Sequence, residues 1–426
     1  MYLKSINIHN YRGIENLHID FHEGVNLLIG NNGSGKTTLL TALAVMLSSP
    51  LALISTNRGR ISQVVIGEDT YTTNSFIGET TIQPVPHFPI EIESVIHLYG
   101  KDFVCRQEKQ NVSANPEIKK YDLHYFFRDS IGDPQAHMPL LCFLRAGRGK
   151  VIRKQTTTVT LSTGESERAQ GYIGSFSDEL KMEDIQNWCI QMEFAAYQKK
   201  QEITEYNAFQ SIVNRFASLI DENAVNPKVY YSSAAGSLVY FDGSTEQPIY
   251  QLSAGYQAVL CMALELAYRS VLLNPALENV AAATEGVVLI DEIEMHLHPA
   301  WQWKILKVLN ELFPKIQFII STHSPIVLSS AKNATLYLMK SPSDVILLDN
   351  VYGYSVNDIL TVSQNSEFQP KEIEEYYKAA EHIFDEGQKE DLDKLLANAR
   401  AEFQNSPDVV KALEDFIQVN LWVEEA

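Results

Sequence analysis

Residues 25–47 join an apolar run, a glycine-rich loop and a second apolar run, and the loop has the chemistry to bind phosphate. Gly30, Gly35, Lys36 and Thr37 match the pattern G-x-x-x-x-G-K-[ST] between a predicted strand and a predicted helix. The glycines allow positive φ, so backbone N–H groups can approach phosphate oxygens, and the helix dipole favours the anion. Lys36 can reach the β and γ phosphates, and the Thr37 hydroxyl can bind Mg²⁺. The other predicted nucleotide contacts in this loop are Asn31, Asn32, Gly33, Ser34 and Thr38.

Candidate catalytic residues follow two apolar runs late in the chain. Asp291 and Glu292 end the run 286–290, which is typical of a central parallel strand with acids at its carboxyl end. We expect Asp291 to hold Mg²⁺ through water and Glu292 to polarise the attacking water, because phosphoryl transfer depends on positioning. The run 316–321 ends in a similar way before His323, whose imidazole can donate to a γ phosphate or serve as a structural histidine.

Four other residues are weaker candidates for nucleotide contacts. Ser253 and Gly255 stand at the predicted N-terminus of an apolar helix, where a hydroxyl and backbone N–H groups favour an anion. Arg12 lies between an aromatic residue and a glycine, so it suits either a phosphate or ribose contact or an ordinary surface turn. Gln63 is the candidate for a glutamine that senses the γ phosphate and binds the metal.

The elements that position these residues follow from hydrophobic spacing. Residues 2–8 and 16–21 alternate around a turn and predict an antiparallel pair with one wet face. Residues 90–104 and 121–127 are strand-like, whereas residues 165–222 have the period of two amphipathic helices. The apolar stripes predicted to form the core of these helices are Ile185, Trp188, Met192 and 194–196, then Phe209, Ile212, Val213 and Phe216.

Composition limits the function classes. The chain has 426 residues and a net charge of −19, which opposes nucleic-acid binding over most of the surface. A local basic cluster could still contact nucleic acid or ATP, or form a solvated hairpin; its residues are Arg145, Arg148, Lys150, Arg153 and Lys154. No wholly apolar run is long enough to span a bilayer and no signal peptide is visible, which predicts a cytoplasmic protein without a membrane partner.

Cysteine and histidine spacing does not favour a zinc site. The four cysteines are far apart without a C-x-x-C pair, so we expect them to be buried apolar residues. Glu294, His296 and His298 alternate acid and imidazole groups, but no second ligand pair accompanies them.

Five motifs, in chain order, together resemble the ABC-type ATPase heads of the SMC and RecF class: GNNGSGKT, LSAGYQ, VVLIDE, EMHLHP and STHSP. The resemblance spans most of the first 330 residues. It implies ATP and Mg²⁺ as cofactors and an α/β P-loop fold with a mixed sheet and flanking helices. It also implies a head-to-tail dimer in which the phosphate loop of one copy faces Ser253 and Gly255 of the other. We refer to residues 251–257 as the signature segment; it has Leu-Ser-Ala-Gly-Tyr where the wider class has Leu-Ser-Gly-Gly-Gln.

The opening LKSINIHNYRGIENLHIDFHEGVNLLIGNNGSGKT and the motif GYSVNDIL are more narrowly similar to stand-alone prokaryotic ATPases, including the PtuA ATPases of Septu and retron antiphage systems. This similarity implies an ATPase that forms dimers or higher oligomers and regulates an HNH-type nuclease, in some systems beside a reverse transcriptase and its RNA or DNA. The predicted domains are 1–160, an ATPase lobe with Walker A; 161–225, a helical insertion; 226–350, a lobe with signature, Walker B and His-loop; and 351–426, a C-terminal helical region.

Three alternatives remain at this stage. A DNA-repair ATPase of the same class would bind DNA itself, and a scaffold would bind ATP without hydrolysing it. The nucleotide-binding subunit of a membrane transporter is disfavoured by the antiparallel opening with Arg12 and by the H-L-H-P segment.

Overall fold

The structure is a computed structural model that describes residues 1–353 apart from 57–58, 62, 68–69, 78–80, 134, 147–166, 178–181 and 349–350. Beyond residue 353 it describes 371–386, 390–403, 409–411 and 413–417. The chain forms two compact units, residues 1–359 and 360–426. The boundaries predicted at residues 160, 225 and 350 all lie within the first unit and remain predictions.

The elements up to residue 144 are mostly strands. In chain order they are β1 (Tyr2–Tyr11), β2 (Ile14–Asp20), β3 (Val25–Ile29), α1 (Lys36–Ser48), β4 (Ser55–Thr56), β5 (Gly59–Arg60), β6 (Thr72–Ile77), β7 (Thr81–Pro86), β8 (Ile90–Leu98), β9 (Lys101–Lys109), β10 (Glu117–Ile118), α2 (Asp122–Ser130) and β11 (Leu140–Leu144). A 3₁₀ helix, Ser49–Leu53, follows α1.

Helices and strands alternate in the rest of the first unit. In chain order they are α3 (Glu167–Gln170), α4 (Met182–Lys199), α5 (Thr204–Ile220), β12 (Lys228–Ser232), β13 (Ser237–Phe241), β14 (Glu246–Pro248), α6 (Ala254–Leu273), α7 (Val280–Ala283), β15 (Gly286–Ile290), α8 (Pro299–Gln302), α9 (Ile305–Leu312), β16 (Ile316–Ser321), α10 (Pro325–Ser329), β17 (Ala334–Ser341) and β18 (Asp344–Leu348). A 3₁₀ turn, Ile249–Gln251, precedes α6.

The antiparallel opening is confirmed. β1 pairs with β2, with Ser5 opposite Asp20 and Tyr11 opposite Ile14. Among the described residues this sheet has the strand order β10-β9-β8-β1-β2, and buried and half-buried side chains alternate strictly along β8. Such alternation keeps one face of the sheet on the core and the other toward solvent.

The central sheet carries the motifs. Within the described residues its order is β11-β15-β16-β3-β17-β18, and only the outer pair β17–β18 is antiparallel. Every residue of β3, β11, β15 and β16 is buried, as expected of parallel strands covered on both faces. The carboxyl ends of β3, β15 and β16 therefore meet at one edge, where the glycine-rich loop and the candidate catalytic residues Asp291 and Glu292 follow.

Two predictions about local structure are wrong. Residues 121–127, predicted as strand-like, fall largely in helix α2, where Leu123 and Phe127 are buried one helical turn apart. The aromatic-rich sequence concealed this spacing of four residues. On α4, Phe194 was predicted to lie in the core stripe but is 45% exposed, whereas Ile185 and Trp188 are buried.

Two core helices are long and apolar. Within the described residues, Lys36–Leu53 and Ala254–Leu273 satisfy the length and composition of a membrane span, a match that was not expected from the sequence. Of each window 83% is buried inside the protein, as in helices that cover a sheet. The prediction that the four cysteines are buried is confirmed; none of them forms a disulfide.

A buried imidazole lies between α2 and the end of α1. His124 is fully buried, its Nε2 lies 2.9 Å from the Ser49 hydroxyl oxygen, and burial lowers its pKa to about 4. Because this pKa lies below that of an unfolded histidine, the stabilisation is complete above about pH 6.5 and is lost as the pH falls.

We expect the free energy of unfolding to drop by about 2 kcal/mol more between pH 7 and pH 5 in the wild type than in His124→Gln. Urea denaturation at several pH values measures this slope. His18→Gln, which removes an exposed histidine, is the matched control. Equal slopes in the wild type and His124→Gln would contradict the assignment.

The second unit is helical. Helices α11 (Lys371–Glu386) and α12 (Glu390–Glu402) are followed by helical residues at 409–411 and 413–417. Its core contains Ala380, Leu392, Ala399, Leu413 and Ile417. An apolar stripe of α11 packs within its own unit, with Tyr376, Tyr377 and Ile383 against this core; the side chain of Phe384 lies outside the described residues.

Candidate functional site

The phosphate loop connects β3 to α1. Gly30, Gly33 and Gly35 all have positive φ, at 141°, 80° and 99°. A Cβ on Gly30 would lie 2.3 Å from the carbonyl oxygen of Met339 on β17, so close packing also requires glycine there. Asn31, Asn32 and Gly33 are exposed, which leaves this part of the loop accessible to a ligand.

Lys36 lies under the loop. Its ammonium donates to the carbonyl oxygens of Gly30 and Asn31, each at 2.9 Å, and the residue is buried. Burial lowers its pKa to about 8, while nearby carboxylates, Asp291 first, oppose that shift. The lysine is thus held at the phosphate end of the loop by contacts to the backbone.

A chain of hydrogen bonds joins helix α1 to Asp291 and to the backbone of Glu292. The Thr37 hydroxyl donates to Asp291 Oδ2 at 3.1 Å, and the Ser321 hydroxyl donates to Asp291 Oδ1 at 2.5 Å. The Ser321 oxygen in turn accepts from the backbone N–H of Glu292 at 2.8 Å. Glu292 has a φ of 49°, a left-handed conformation that non-glycine residues seldom adopt and that costs on the order of 1 kcal/mol.

The loop after β16 is held by Glu294. One Glu294 carboxylate oxygen accepts from the backbone N–H of His323 at 2.6 Å, and the other accepts from the Thr322 hydroxyl at 2.7 Å. Burial lowers the pKa of His323, and the charge of Lys36 acts in the same direction. A lowered pKa keeps the imidazole neutral at neutral pH, so it can donate one hydrogen bond.

Pro342 connects the turn that carries Arg12 with the phosphate loop. A Cβ on Gly13 would lie 3.3 Å from Pro342, and a Cβ on Gly35 would lie 3.0 Å from the same residue. Arg12 has a φ of 52°, and its guanidinium lies 5.3 Å from the centre of the Tyr11 ring. The β1–β2 turn is therefore a neighbour of the nucleotide loop.

The signature segment contacts another part of the chain. Ser253 is exposed at the N-cap of α6, and its side chain makes no capping hydrogen bond to that helix. A Cβ on Gly255 would lie 2.7 Å from the carbonyl oxygen of His296, and the Tyr256 ring packs edge-on against Trp301 with centroids 4.6 Å apart. The N-terminus of α6 thus rests on residues 296–301 and exposes its own N-cap.

A family model described as "AAA domain" matches residues 5–223, about half of the chain. The chain belongs to this AAA-domain family. A second model, described as "AAA domain, putative AbiEii toxin, Type IV TA system", matches residues 190–329. The resemblance to ABC-type ATPases of the SMC and RecF class is confirmed, and so is the predicted α/β P-loop fold.

Two curated relatives of this AAA-domain protein align with most of its length. The Retron Vc95 probable ATPase of Vibrio cholerae serotype O1 biovar El Tor is 24% identical over 91% of this chain and 84% of its own length. The Septu protein PtuA of Bacillus thuringiensis is 24% identical over 84% of this chain and 83% of its own. A solved SMC head bound to the C-winged helix domain of ScpA aligns with 82% of this chain and 98% of its own at a TM-score of 0.51 and 14% identity, which shows the fold.

The side chains and backbone groups at this site fit Mg²⁺ and a triphosphate. Thr37 and Asp291 supply side-chain oxygens, the ligands that a hard cation such as Mg²⁺ prefers. These two oxygens lie close together, within hydrogen-bond distance. The backbone N–H groups of the loop, in which Gly33 is exposed, and the ammonium of Lys36 supply positive potential beside them. Thr38, the third residue of α1, is half-buried.

Gln63 does not join this group. It is exposed, and its neighbour Val64 hydrogen-bonds to Ser48 at the far end of α1. That end lies about 18 Å along the helix from Lys36. The end of β11, and not the segment around Gln63, lies beside Asp291, because the Asp291 N–H donates to the Leu144 carbonyl at 2.9 Å.

In the basic cluster and among the alternating histidines, Arg145 and His298 each hydrogen-bond to the backbone. Arg145 donates to the Phe176 carbonyl at 3.3 Å, while Arg148, Lys150, Arg153 and Lys154 lie outside the described residues. His298 uses its Nδ1 to accept from the N–H of Ala300 at the start of α8.

Sequence reasoning missed Ser321 and Glu294 as parts of the site. Ser321 is an ordinary small residue at the end of a buried strand, so its contacts with Asp291 and Glu292 follow only from the sheet order. Glu294 was considered only as a metal ligand. Glu294 lies three residues after Asp291, on the segment that passes the end of β16. That position could have indicated a contact with the loop after β16.

Proposed function

We propose that this AAA-domain chain hydrolyses ATP at a site shared by two copies, and that closure of this site controls a separate effector in prokaryotic antiphage defence. The observation that carries the proposal is the hydrogen-bonded path from Thr37 through Asp291 and Ser321 to the backbone of Glu292. This path connects the helix that begins at the phosphates with the carboxylate that would polarise water. It supports hydrolysis in addition to nucleotide binding.

Each residue has a role in this chemistry. Thr37 and Asp291 would hold Mg²⁺, which neutralises charge on the phosphate oxygens. Lys36 binds the β and γ phosphates, Glu292 orients and polarises the attacking water, and neutral His323 donates toward the γ phosphate. Because Glu294 fixes the backbone of His323, the imidazole approaches the phosphate from a defined direction.

The second copy supplies the other half of the site. Ser253 and the backbone N–H groups at the start of α6 form an anion-binding end that is exposed in the single chain. We propose that this end, with Gly255, meets the phosphate loop of the partner head to tail. Arg12, on the turn beside Gly35, would add a contact to phosphate or ribose.

The proposals of a defence role and of an effector go beyond what the names of the relatives say. The names of two of them refer to a retron and to Septu. We propose by analogy that an HNH-type nuclease is the partner of this cytoplasmic chain, with a reverse transcriptase and its nucleic acid as a further component.

Co-purification tests the partner, and nucleotide-dependent association tests the shared site. We expect the chain expressed with its neighbouring genes to retain a nuclease, and the purified chain to dimerise or form higher oligomers with AMP-PNP and Mg²⁺ but not as Lys36→Ala. A monomer at all nucleotide concentrations would contradict the shared site. Turnover that duplex DNA stimulates several-fold, with no protein partner retained, would instead favour an ATPase that acts on DNA directly.

A further inference from the structure

The signature segment departs from its class at Tyr256, and this side chain has a defined partner. Its hydroxyl donates to Oδ2 of Asp221, the residue directly after α5. Asp221 is buried, at 6% exposure, so this acceptor is largely withdrawn from water. A hydrogen bond to a buried carboxylate is stronger than one between neutral groups.

The surroundings hold Asp221 in place. Its Oδ1 accepts from the N–H of Asn223 at 3.1 Å, and its own N–H continues the α5 ladder to Ala217 at 3.0 Å. The Tyr240 hydroxyl lies farther off, at 3.5 Å from the same Oδ2. Asp221 therefore moves with the end of α5, whereas its partner Tyr256 belongs to the first turn of α6.

The hydrogen bond between Tyr256 and Asp221 lies beside open space. Asp221, Tyr240 and Tyr256 line an open cavity of about 400 Å³, which leaves room for the Tyr256 hydroxyl to move away. The Tyr256 ring keeps a separate contact with Trp301, so losing the hydroxyl bond does not remove the side chain from the core. The hydroxyl bond and the ring packing can thus be separated by mutation.

We infer that Tyr256 is a positioning residue for the signature half of the ATP site: its bond to Asp221 sets the orientation of the N-terminus of α6 and links it to the C-terminal end of α5. The inference rests on the proposed shared site and adds a control point to it. Ser253 and Gly255 lie within three residues of Tyr256 on the same turn, so a small rotation there moves the groups that must meet the partner's phosphate loop. A displacement of α5 would then change closure without touching the loop that binds the nucleotide.

Tyr256→Phe tests this, because it removes the hydroxyl and keeps the ring. We expect kcat, and the affinity of AMP-PNP-dependent association, each to fall about tenfold, while binding of a fluorescent ATP analogue to the single chain stays within about twofold of the wild type. Asp221→Asn retains an acceptor oxygen and is expected to give an intermediate loss. Tyr240→Phe, which removes the longer contact to the same carboxylate from strand β13, is the matched control and should behave as the wild type.

Analytical ultracentrifugation with AMP-PNP and Mg²⁺, nucleotide titrations and steady-state phosphate release give the three readouts. If the wild type associates and Tyr256→Phe associates and turns over equally well, the inference is overturned and the shared site stands. An equal loss of nucleotide affinity in the single chain would also overturn it, because that result indicates general damage. If the wild type itself fails to associate, the proposed shared site fails and the inference with it.

Discussion

Glu292→Gln is expected to lower steady-state ATP turnover by at least about 100-fold, because the amide cannot polarise or accept a proton from water. Nucleotide binding should persist, since Lys36, Thr37 and Asp291 are unchanged. The backbone N–H of Glu292, rather than its side chain, bonds to Ser321, so the substitution leaves that contact in place. We therefore expect a protein that binds ATP and accumulates in the associated state. Phosphate release, nucleotide titration and sedimentation measure the three properties.

The control for this experiment is Glu278→Gln, which alters an exposed carboxylate between α6 and α7 and outside the motifs. It should retain wild-type turnover. Full turnover in Glu292→Gln would show that another group activates water. Equal, near-zero turnover in the wild type and the variant would leave a scaffold that binds ATP without hydrolysing it.

Mixing two inactive variants should restore activity if the site is shared. Glu292→Gln is defective in the acid, and Ser253→Glu places a negative charge at the end of α6 that faces phosphate. In a mixed pair, one site combines both defects and the other combines neither. For two independent sites, an equimolar mixture should reach about a quarter of wild-type turnover, well above either variant measured separately.

Ser253→Glu is suited to this purpose because the position is exposed and an acidic residue at a helix N-terminus favours the helix. Its nucleotide affinity as a single chain should match the wild type, and this match is the control for folding. If the mixture shows only the average of the two variants, each chain completes its own site and the head-to-tail arrangement is wrong.

The sequence predicted the parts of the site that are local in the chain. The loop from Gly30 to Thr37 could be recognised because the spacing of glycine, lysine and hydroxyl is set by the geometry of one strand, one turn and one helix. Asp291 and Glu292 followed from a wholly apolar strand that ends in acids. The structure places Thr37 and Asp291, the two predicted magnesium ligands, within hydrogen-bond distance of each other.

Contacts between distant segments could not be predicted in this way. Asp221 and Tyr256 are 35 residues apart, and neither lies in a pattern that specifies the other. Gln63 was chosen by residue type, but the length of α1 separates it from the phosphates. Residues 121–127 form a helix because α2 buries Leu123 and Phe127, a tertiary effect that outweighs the strand propensity of aromatic residues.

The strand order of the central sheet has a consequence for synthesis. β3, which leads into the phosphate loop, takes its hydrogen-bonded neighbours from β16 and β17, nearly 300 residues later. Its partners therefore do not exist when the N-terminal third of the chain leaves the ribosome, although β1, β2, β8 and β9 can already pair with one another. A chain cut short before β16 would keep the nucleotide motif but not the sheet that shapes it. The sheet that shapes the glycine-rich loop is thus complete only after β16 and β17 have been synthesised.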